Sequence, residues 1–153
     1  MRNIVFSGIE IMTSTDNTTT DRLIKEINLR TFADRYLDQA EEREVIRIAS
    51  QLGVSENDAA IIIVNVCKEA GLVREADVRE AIRTSLGYVE GKLDRPAFDL
   101  LVGAGMTAAK KTVSEREIQR MTIGLLKEMK REEIKRGWFS NWYTELKREL
   151  GIE

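Results

Sequence analysis

The chain has 153 residues, of which 42% are hydrophobic and 33% are charged, and its formal net charge is −2. A chain of this length can bury a core as a single domain. The near-neutral balance argues against a general nucleic-acid or membrane-surface binder, since such proteins usually carry a large positive excess. No apolar run is long enough for a transmembrane helix, so we expect no membrane partner.

The chain contains no histidine and a single cysteine, Cys67. One thiol cannot form an internal disulfide, so we expect a reducing, cytoplasmic setting. The absence of histidine removes Ser-His-Asp and Cys-His catalysis and the commonest zinc ligand. Acid pairs such as Glu41/Glu42 and Glu132/Glu133 are sequence neighbours that point to different sides of a helix. We therefore expect a protein that is not an enzyme and has no cofactor and no metal site.

Residues 1–19 combine a short, interrupted apolar patch with a Ser/Thr/Asn run, which predicts a disordered N-terminal arm. Both Met1 and Met12 fit as the start of the chain. The helical domain is expected over 20–153, with an N-terminal half at 20–87 and a C-terminal half at 93–153. A first helix is predicted from Thr20. Because no helix breaker precedes Leu52, one long helix is predicted over 29–52.

The stretch 41–73 predicts two helices joined by a sharp turn. Gly53 suits the end of the first helix, and Ser55 suits the cap of the second. From Ala59 to Cys67 the chain is almost continuously apolar, and a helix that is apolar on nearly all sides is buried on nearly all sides. The predicted fold class is therefore all-α: a single compact domain of six or seven helices around a buried central helix at 59–70.

Residues 48–73 resemble the helix-turn-helix of bacterial regulators, with Ala49, Gly53 and Val54-Ser55 at the turn and the sequence EAGLV at the end of the second helix. The resemblance implies binding of DNA through that second helix. A recognition helix contacts bases and phosphates with basic or amide side chains near its start. This one starts with the acidic sequence END at 56–58. A helix-turn-helix-like nucleic-acid-binding regulator is therefore the alternative function.

The next helix is predicted to end at Gly87, and a further helix is predicted to start at Asp94, with Pro96 in its first turn. The joint between them resembles the loop of an EF-hand, and the similar joint of tellurite-resistance TerB-like domains. The residues that carry this resemblance are Gly91, Leu93 and Phe98. Calcium needs oxygen ligands at the first, third, fifth and twelfth loop positions, and these positions hold Leu86, Tyr88, Glu90 and Ala97. The loop is therefore EF-hand-like but degenerate.

Gly103 and Gly105 are expected to loosen or end the helix that starts at Asp94. Ser114 and Glu117 form a capping box, which predicts a long helix running to about residue 136. A last amphipathic helix, capped by Ser140, follows. The segments GVSENDAAIIIV and TVSEREIQRMTI share a serine cap before an apolar helix, and we interpret this likeness as ordinary capping chemistry.

The C-terminal segment 127–150 holds both tryptophans and more basic than acidic residues, whereas residues 34–90 are acidic. Its aromatic rings either close the core or form a partner surface, because Trp, Tyr and Arg dominate interface hot spots. Stacking on single-stranded nucleic acid is a third alternative, which the interleaved glutamates weaken. The predicted partner-binding residues are Lys130, Arg131, Lys135, Arg136, Trp138, Phe139, Trp142 and Tyr143.

Taken together, these features predict a non-catalytic helical module for protein–protein interaction, as in an adaptor, a regulator or an assembly subunit. The expected partner is another protein or a second copy of the chain. Nucleic acid is the less favoured partner.

Overall fold

The computed structural model describes residues 17–135 and 141–152, and within them the chain is all-α, as predicted. Residues 1–16 of the arm expected over 1–19, and the expected cap Ser140, lie outside these residues. The elements in chain order are α1 (Asn17–Thr31), β1 (Tyr36–Leu37), α2 (Gln39–Gln51), α3 (Glu56–Ala70), β2 (Val73–Arg74), α4 (Glu75–Leu86), α5 (Arg95–Ala109), α6 (Glu115–Glu128) and α7 (Trp142–Leu150).

Short polar side chains begin four of these helices. Asp38, Ser55, Asp94 and Ser114 each accept a hydrogen bond from the backbone amide three residues later. Such a cap satisfies one of the amides that the first turn of a helix leaves unpaired. The caps predicted at Ser55, Asp94 and Ser114 are therefore confirmed.

The predicted long helix over 29–52 is wrong, because the chain leaves helical conformation between α1 and α2. Arg35 has a positive φ of 59°, and β1 then pairs in parallel with β2. A capping box starts α2: Asp38 Oδ1 accepts from the Glu41 amide at 2.7 Å, and Glu41 Oε2 accepts from the Asp38 amide at 3.1 Å. The predicted long helix is therefore interrupted by the cap at Asp38 and by the pairing of β1 with β2, which lies far along the chain.

Three other predicted boundaries also need correction. Helix α1 begins at Asn17, so the residues just before Thr20 are helical rather than part of the arm. Helix α6 ends at Glu128 rather than near residue 136. Helix α5 continues through Gly103 and Gly105 to Ala109. Gly105 lies where α5 crosses α4 and α6, so it allows close packing there rather than ending the helix.

The core is divided into two clusters of buried side chains. One is formed by residues of α1, α2 and α3, and the other by residues of β2 and helices α4 to α7, together with Leu93. Helix α3 belongs to the first cluster and packs chiefly on α1 and α2. The expectation that α3 is buried on nearly all sides is wrong, because Ile61 is 52% and Val64 is 41% exposed.

The same order of elements occurs twice in the chain. In each unit a buried leucine is followed by a capping aspartate and two helices. The segment after the second helix then pairs in parallel with that leucine, and in the first unit also with the residue before it. The leucines are Leu37 and Leu93, and their partners are Arg74 and Ile134. The likeness between the two serine-capped segments therefore extends beyond capping to the topology of a repeated helical hairpin.

Candidate functional site

Five of the eight predicted partner-binding residues lie among the described residues, in two groups. Trp142 and Tyr143 begin α7. Lys130, Arg131 and Lys135 precede it, in the non-helical stretch after α6. The others, Arg136, Trp138 and Phe139, lie outside the described residues.

The rings of Trp142 and Tyr143 attach α7 to α5 through Phe98, which is fully buried. The centroid of the Phe98 ring lies 5.6 Å from that of Trp142 and 6.4 Å from that of Tyr143. The Trp142 and Tyr143 rings are 5.4 Å apart in an edge-to-face arrangement. Such tilted aromatic pairs are favourable beyond the area that they bury. Both rings therefore help to close the core while one side of each stays accessible.

Polar contacts fix α7 at both ends. The Tyr143 hydroxyl donates to Glu132 Oε1 at 2.8 Å. At the other end, the Arg120 guanidinium donates twice to the Leu150 carbonyl, at 3.0 and 2.7 Å, and Arg116 donates to the Glu149 carbonyl at 2.7 Å. Cationic donors satisfy the free carbonyls at a helix C-terminus and complement its dipole. Helix α7 is thus held in place although it is the shortest of the described helices.

A groove of about 720 Å³ lies along the outer side of α7. Its far wall is the segment after α6, which is tied to the rest of the fold by Leu93. The Leu93 amide donates to the Glu133 carbonyl at 2.7 Å, and the Lys135 amide donates to the Leu93 carbonyl at 2.8 Å. The lining residues are Glu132, Ile134, Asn141, Trp142, Tyr143, Thr144, Lys147, Arg148, Gly151 and Ile152.

The groove has a basic rim. Lys147 Nζ lies 5.8 Å from the centroid of the Tyr143 ring, and Arg148 is exposed in the last turn of α7. Lys135 is exposed at the end of the opposite wall. None of these three cations pairs with a carboxylate in the part of the chain that the structure describes.

Two of the predicted residues are less suited to binding than the sequence suggested. The Arg131 guanidinium donates to the Val89 carbonyl at 2.9 Å and is partly buried, so it holds two loops together. Lys130 is exposed, with a positive φ of 54°, but it does not line the groove.

Sequence analysis missed several residues of the groove, notably Ile134, Lys147, Arg148 and Ile152. The signal for Lys147 was present, because it follows Tyr143 by four residues and therefore lies on the same face of a helix. No comparable signal existed for Ile134, since its position depends on pairing with Leu93, far away in the chain.

The hairpin of α2 and α3 has the predicted sharp turn, with Gly53 at a φ of 81° and Ser55 as the cap of α3. The outward face of α3 carries Ile61 and Val64, and its basic side chain, Lys68, lies in the last turn rather than near the start of the helix. Exposed isoleucine and valine cannot donate hydrogen bonds to base edges or phosphates. The geometry of the turn is therefore present without the side chains of a recognition helix.

The buried thiol and the EF-hand-like joint are the features that bear on nucleophilic chemistry and on metal binding. Cys67 is 1% exposed, and burial raises the pKa of its thiol to about 11, so the thiol stays protonated near neutral pH. Gly91 has the positive φ expected of the EF-hand-like joint. In residues 17–135 and 141–152, no group of three or more His, Cys, Asp and Glu side chains is arranged to hold a metal ion.

Comparison of the chain with protein-family models, with curated proteins and with solved structures gave no significant match. Among the helices of the described ranges, none has the length and apolar character needed to cross a membrane.

Proposed function

We propose that this protein is a non-catalytic helical interaction module, an adaptor, regulator or assembly subunit, which binds a protein partner in the groove beside α7. The observation that supports the proposal most directly is the groove itself, with Trp142 and Tyr143 in one wall and, on its rim, cations that form no ion pair with the described residues. Tryptophan, tyrosine and arginine are the side chains most enriched at interface hot spots.

The anchoring of α7 adds to this support. The groove exists only while α7 is held in place, and it is held by Phe98 of α5, by Arg120 of α6 and by Glu132 in the segment after α6. A site that is formed before binding loses less conformational entropy when the partner arrives. The groove is also large enough to take one or two apolar side chains of a partner, since small-molecule pockets span about 300–1,000 Å³.

The charge of the rim favours a partner segment with acidic side chains next to an apolar anchor. Lys147 and Arg148 line the groove and Lys135 follows the lining residue Ile134, whereas the carboxylate of Glu132 is engaged by the Tyr143 hydroxyl. Complementary charges on a partner would raise the association rate and fix its orientation. A reducing, cytoplasmic setting fits the single buried thiol, Cys67.

The test is capture of partners from the native host by the full chain, with nuclease treatment, compared with an Arg148→Glu variant. Arg148 is exposed, so the reversal changes the rim without removing core packing. Arg43→Glu, an equal reversal at an exposed position of α2, is the control. A protein retained by the wild type and by Arg43→Glu, but lost with Arg148→Glu, supports the proposal. A set of captured proteins that is the same for all three chains refutes it.

A nucleic-acid-binding regulator is the second candidate, and the repeated hairpin of α5 and α6 is the observation that favours it. Its turn exposes Lys110 and Lys111, both with positive φ, just before the start of α6. Glu115 and Glu117 oppose them in the first turn of α6. Anisotropy of labelled single- and double-stranded DNA tests this candidate. It requires binding that weakens steeply with salt and is lost in the Lys110→Glu/Lys111→Glu variant.

A further inference from the structure

Helix α3 carries an apolar strip that no other described element covers. Ile61 is 52% exposed and Val64 is 41% exposed, and the two residues are three positions apart on the outward side of the helix. Residues at this spacing are neighbours on a helix surface, so they form one continuous strip. The repeat in the fold indicates what such a strip receives, because the equivalent surface in the second unit is covered.

The equivalence follows from the serine caps of α3 and α6. Ile61 and Val64 are the sixth and ninth residues after the cap of α3, and Arg120 and Ile123 have these positions after the cap of α6. The buried positions of the two helices agree with this alignment. Those of α3 and their counterparts in α6 are Ala59 and Ile118, Val66 and Leu125, and Cys67 and Leu126.

Helix α7 covers this surface of α6. The Arg120 guanidinium donates twice to the Leu150 carbonyl, and Ile123 is only 2% exposed. Ile123 belongs to the same buried cluster as Leu146 and Leu150, the two leucines of α7. The first turn of α7 contacts Glu132, which follows the end of α6, while its last turn contacts the first half of α6. Helix α7 therefore runs antiparallel to α6.

The first unit has no such helix among the residues that the structure describes. Seven residues separate Ile134 from the start of α7, whereas α4 begins directly after β2, at Glu75. Helix α4 then packs chiefly on α5 and joins the second core cluster. The surface of α3 that corresponds to the covered surface of α6 is therefore left open.

The open surface is also more acidic than its counterpart. The first two turns of α6 hold two glutamates and two arginines, and Arg116 and Arg120 donate to the last carbonyls of α7. The first two turns of α3 hold Glu56 and Asp58 and no cation. The remaining charged residues of α3, one lysine and one glutamate, lie in its last turn. The start of the open surface therefore has the negative charges of α6 without the positive ones.

Differences at two positions account for this charge. Asn57 stands in the place of Arg116, and Ile61 stands in the place of Arg120. A helix that packs here antiparallel to α3 would set its last turn against the two carboxylates at the start of α3. Basic side chains in that turn would complement these carboxylates and the dipole of their own helix.

We propose that the α3 face, defined by Asn57, Ile61 and Val64, binds an amphipathic helix of a partner protein. The partner helix lies antiparallel to α3 and has basic residues in its last turn. It presents two large apolar side chains four residues apart, as Leu146 and Leu150 are in α7. The α3 face shares no residue with the α7 groove, so this proposal goes beyond the proposed function and does not depend on it.

Two occupants from this chain fit the α3 face less well. Residues 1–16 contain one cation, Arg2, so they do not supply a basic last turn. Helix α7 of a second copy has Lys147 and Arg148 in its last turn, but its two leucines are buried in its own fold. A separate partner is therefore the occupant that meets both requirements.

The probe is a synthetic helix of about 15 residues, with two leucines four residues apart and two lysines in its last turn. Because a free helix of about this length is marginal in water, a covalent link between two side chains of its polar face keeps it helical. One control peptide replaces the leucines by serine, and another replaces the lysines by glutamate.

The variant Ile61→Gln/Val64→Gln removes both aliphatic side chains from the α3 face without changing its charge. Both positions are exposed and glutamine favours helix, so the variant should fold, which far-UV circular dichroism checks. Leu100→Gln/Met129→Gln makes an equal change at two exposed apolar residues of the second unit and is the matched control.

Fluorescence anisotropy of the labelled peptides measures their binding to the full chain. The wild type and the control variant should bind the leucine–lysine peptide, and Ile61→Gln/Val64→Gln should bind it at least about tenfold more weakly. The serine peptide should not bind. The glutamate peptide should bind about two- to fivefold more weakly than the lysine peptide at low salt, and this difference should shrink at high salt.

The proposal is wrong if the wild type does not bind the leucine–lysine peptide, if Ile61→Gln/Val64→Gln binds it as tightly as the wild type does, or if the glutamate peptide binds as tightly as the lysine peptide. Analytical ultracentrifugation of the chain alone tests a second copy as the occupant. A dimer that Ile61→Gln/Val64→Gln dissociates would assign the α3 face to self-association and would also overturn the proposal. Because none of these variants changes the α7 groove, the proposed function is tested separately.

Discussion

Two glycines in α5 should respond in opposite ways to the same substitution. Gly103 and Gly105 both lie within the helix, where replacing glycine by alanine gains about 1 kcal/mol of helix stability. A Cβ at Gly103 would have no heavy atom within 4 Å. A Cβ at Gly105 would lie 2.7 Å from Ile118 Cγ2 and 3.0 Å from Ile82 Cδ1.

The contact with Ile118 decides the sign at Gly105. Ile118 is fully buried and Ile82 is 1% exposed. The Cγ2 atom of Ile118 sits on its branched Cβ and cannot swing away without moving the side chain as a whole. Overpacking of this kind costs about 1–3 kcal/mol, which exceeds the gain in helix propensity. The expected net change is up to about 2 kcal/mol of lost stability for Gly105→Ala, against about 0.5–1 kcal/mol of added stability for Gly103→Ala.

Urea unfolding followed by circular dichroism measures both free energies, and thermal unfolding should show shifts of about 2–4 °C per kcal/mol for a chain of this size. Gly103→Ala serves as the control, because it makes the same chemical change in the same helix. A Gly105→Ala variant as stable as Gly103→Ala would refute the close crossing of α5 with α4 and α6.

Three further predictions concern α7 and the buried thiol. Arg120→Ala should loosen α7 by about 1 kcal/mol, because the Leu150 carbonyl loses both donors, and hydrogen exchange over 142–152 should speed up. Tyr143→Phe should cost about 1 kcal/mol of stability through the lost hydrogen bond to Glu132. Burial and that bond raise the pKa of Tyr143, so the folded state keeps the phenol protonated to a higher pH than the unfolded state does. The stability of the wild type should therefore fall as pH rises above about 10, and that of Tyr143→Phe should fall less. Cys67, whose pKa burial raises to about 11, should react with a thiol reagent at pH near 8 only after unfolding.

Matched changes elsewhere separate these effects from general damage. Lys127→Ala removes an exposed cation of α6 and should leave exchange in α7 unchanged. Tyr88→Phe removes an exposed hydroxyl and should leave stability unchanged. Equal effects of Arg120→Ala and Lys127→Ala, or an alkaline profile unaltered by Tyr143→Phe, would contradict the contacts assigned to α7. Rapid reaction of Cys67 in native buffer would contradict its burial.

The features that the sequence determined by itself are local ones. The caps at Ser55, Asp94 and Ser114 could be predicted because each links a side chain to an amide three residues later. Phe98, Leu101 and Val102 stand at helical spacing on one face of α5, and all three are buried. For the same reason the all-α class was predictable, since most contacts that define a helix lie within one turn.

The tertiary structure decided whatever depends on partners far apart in the chain. The break before α2 and the extended segment after α6 exist because β1 pairs with β2 and Leu93 pairs with Ile134. Neither pairing leaves a periodic pattern in the sequence, since only one or two residues take part on each side. The same pairing at Leu93 forms the far wall of the groove. The aromatic residues of α7 were therefore visible in the sequence, but the groove that they line was not.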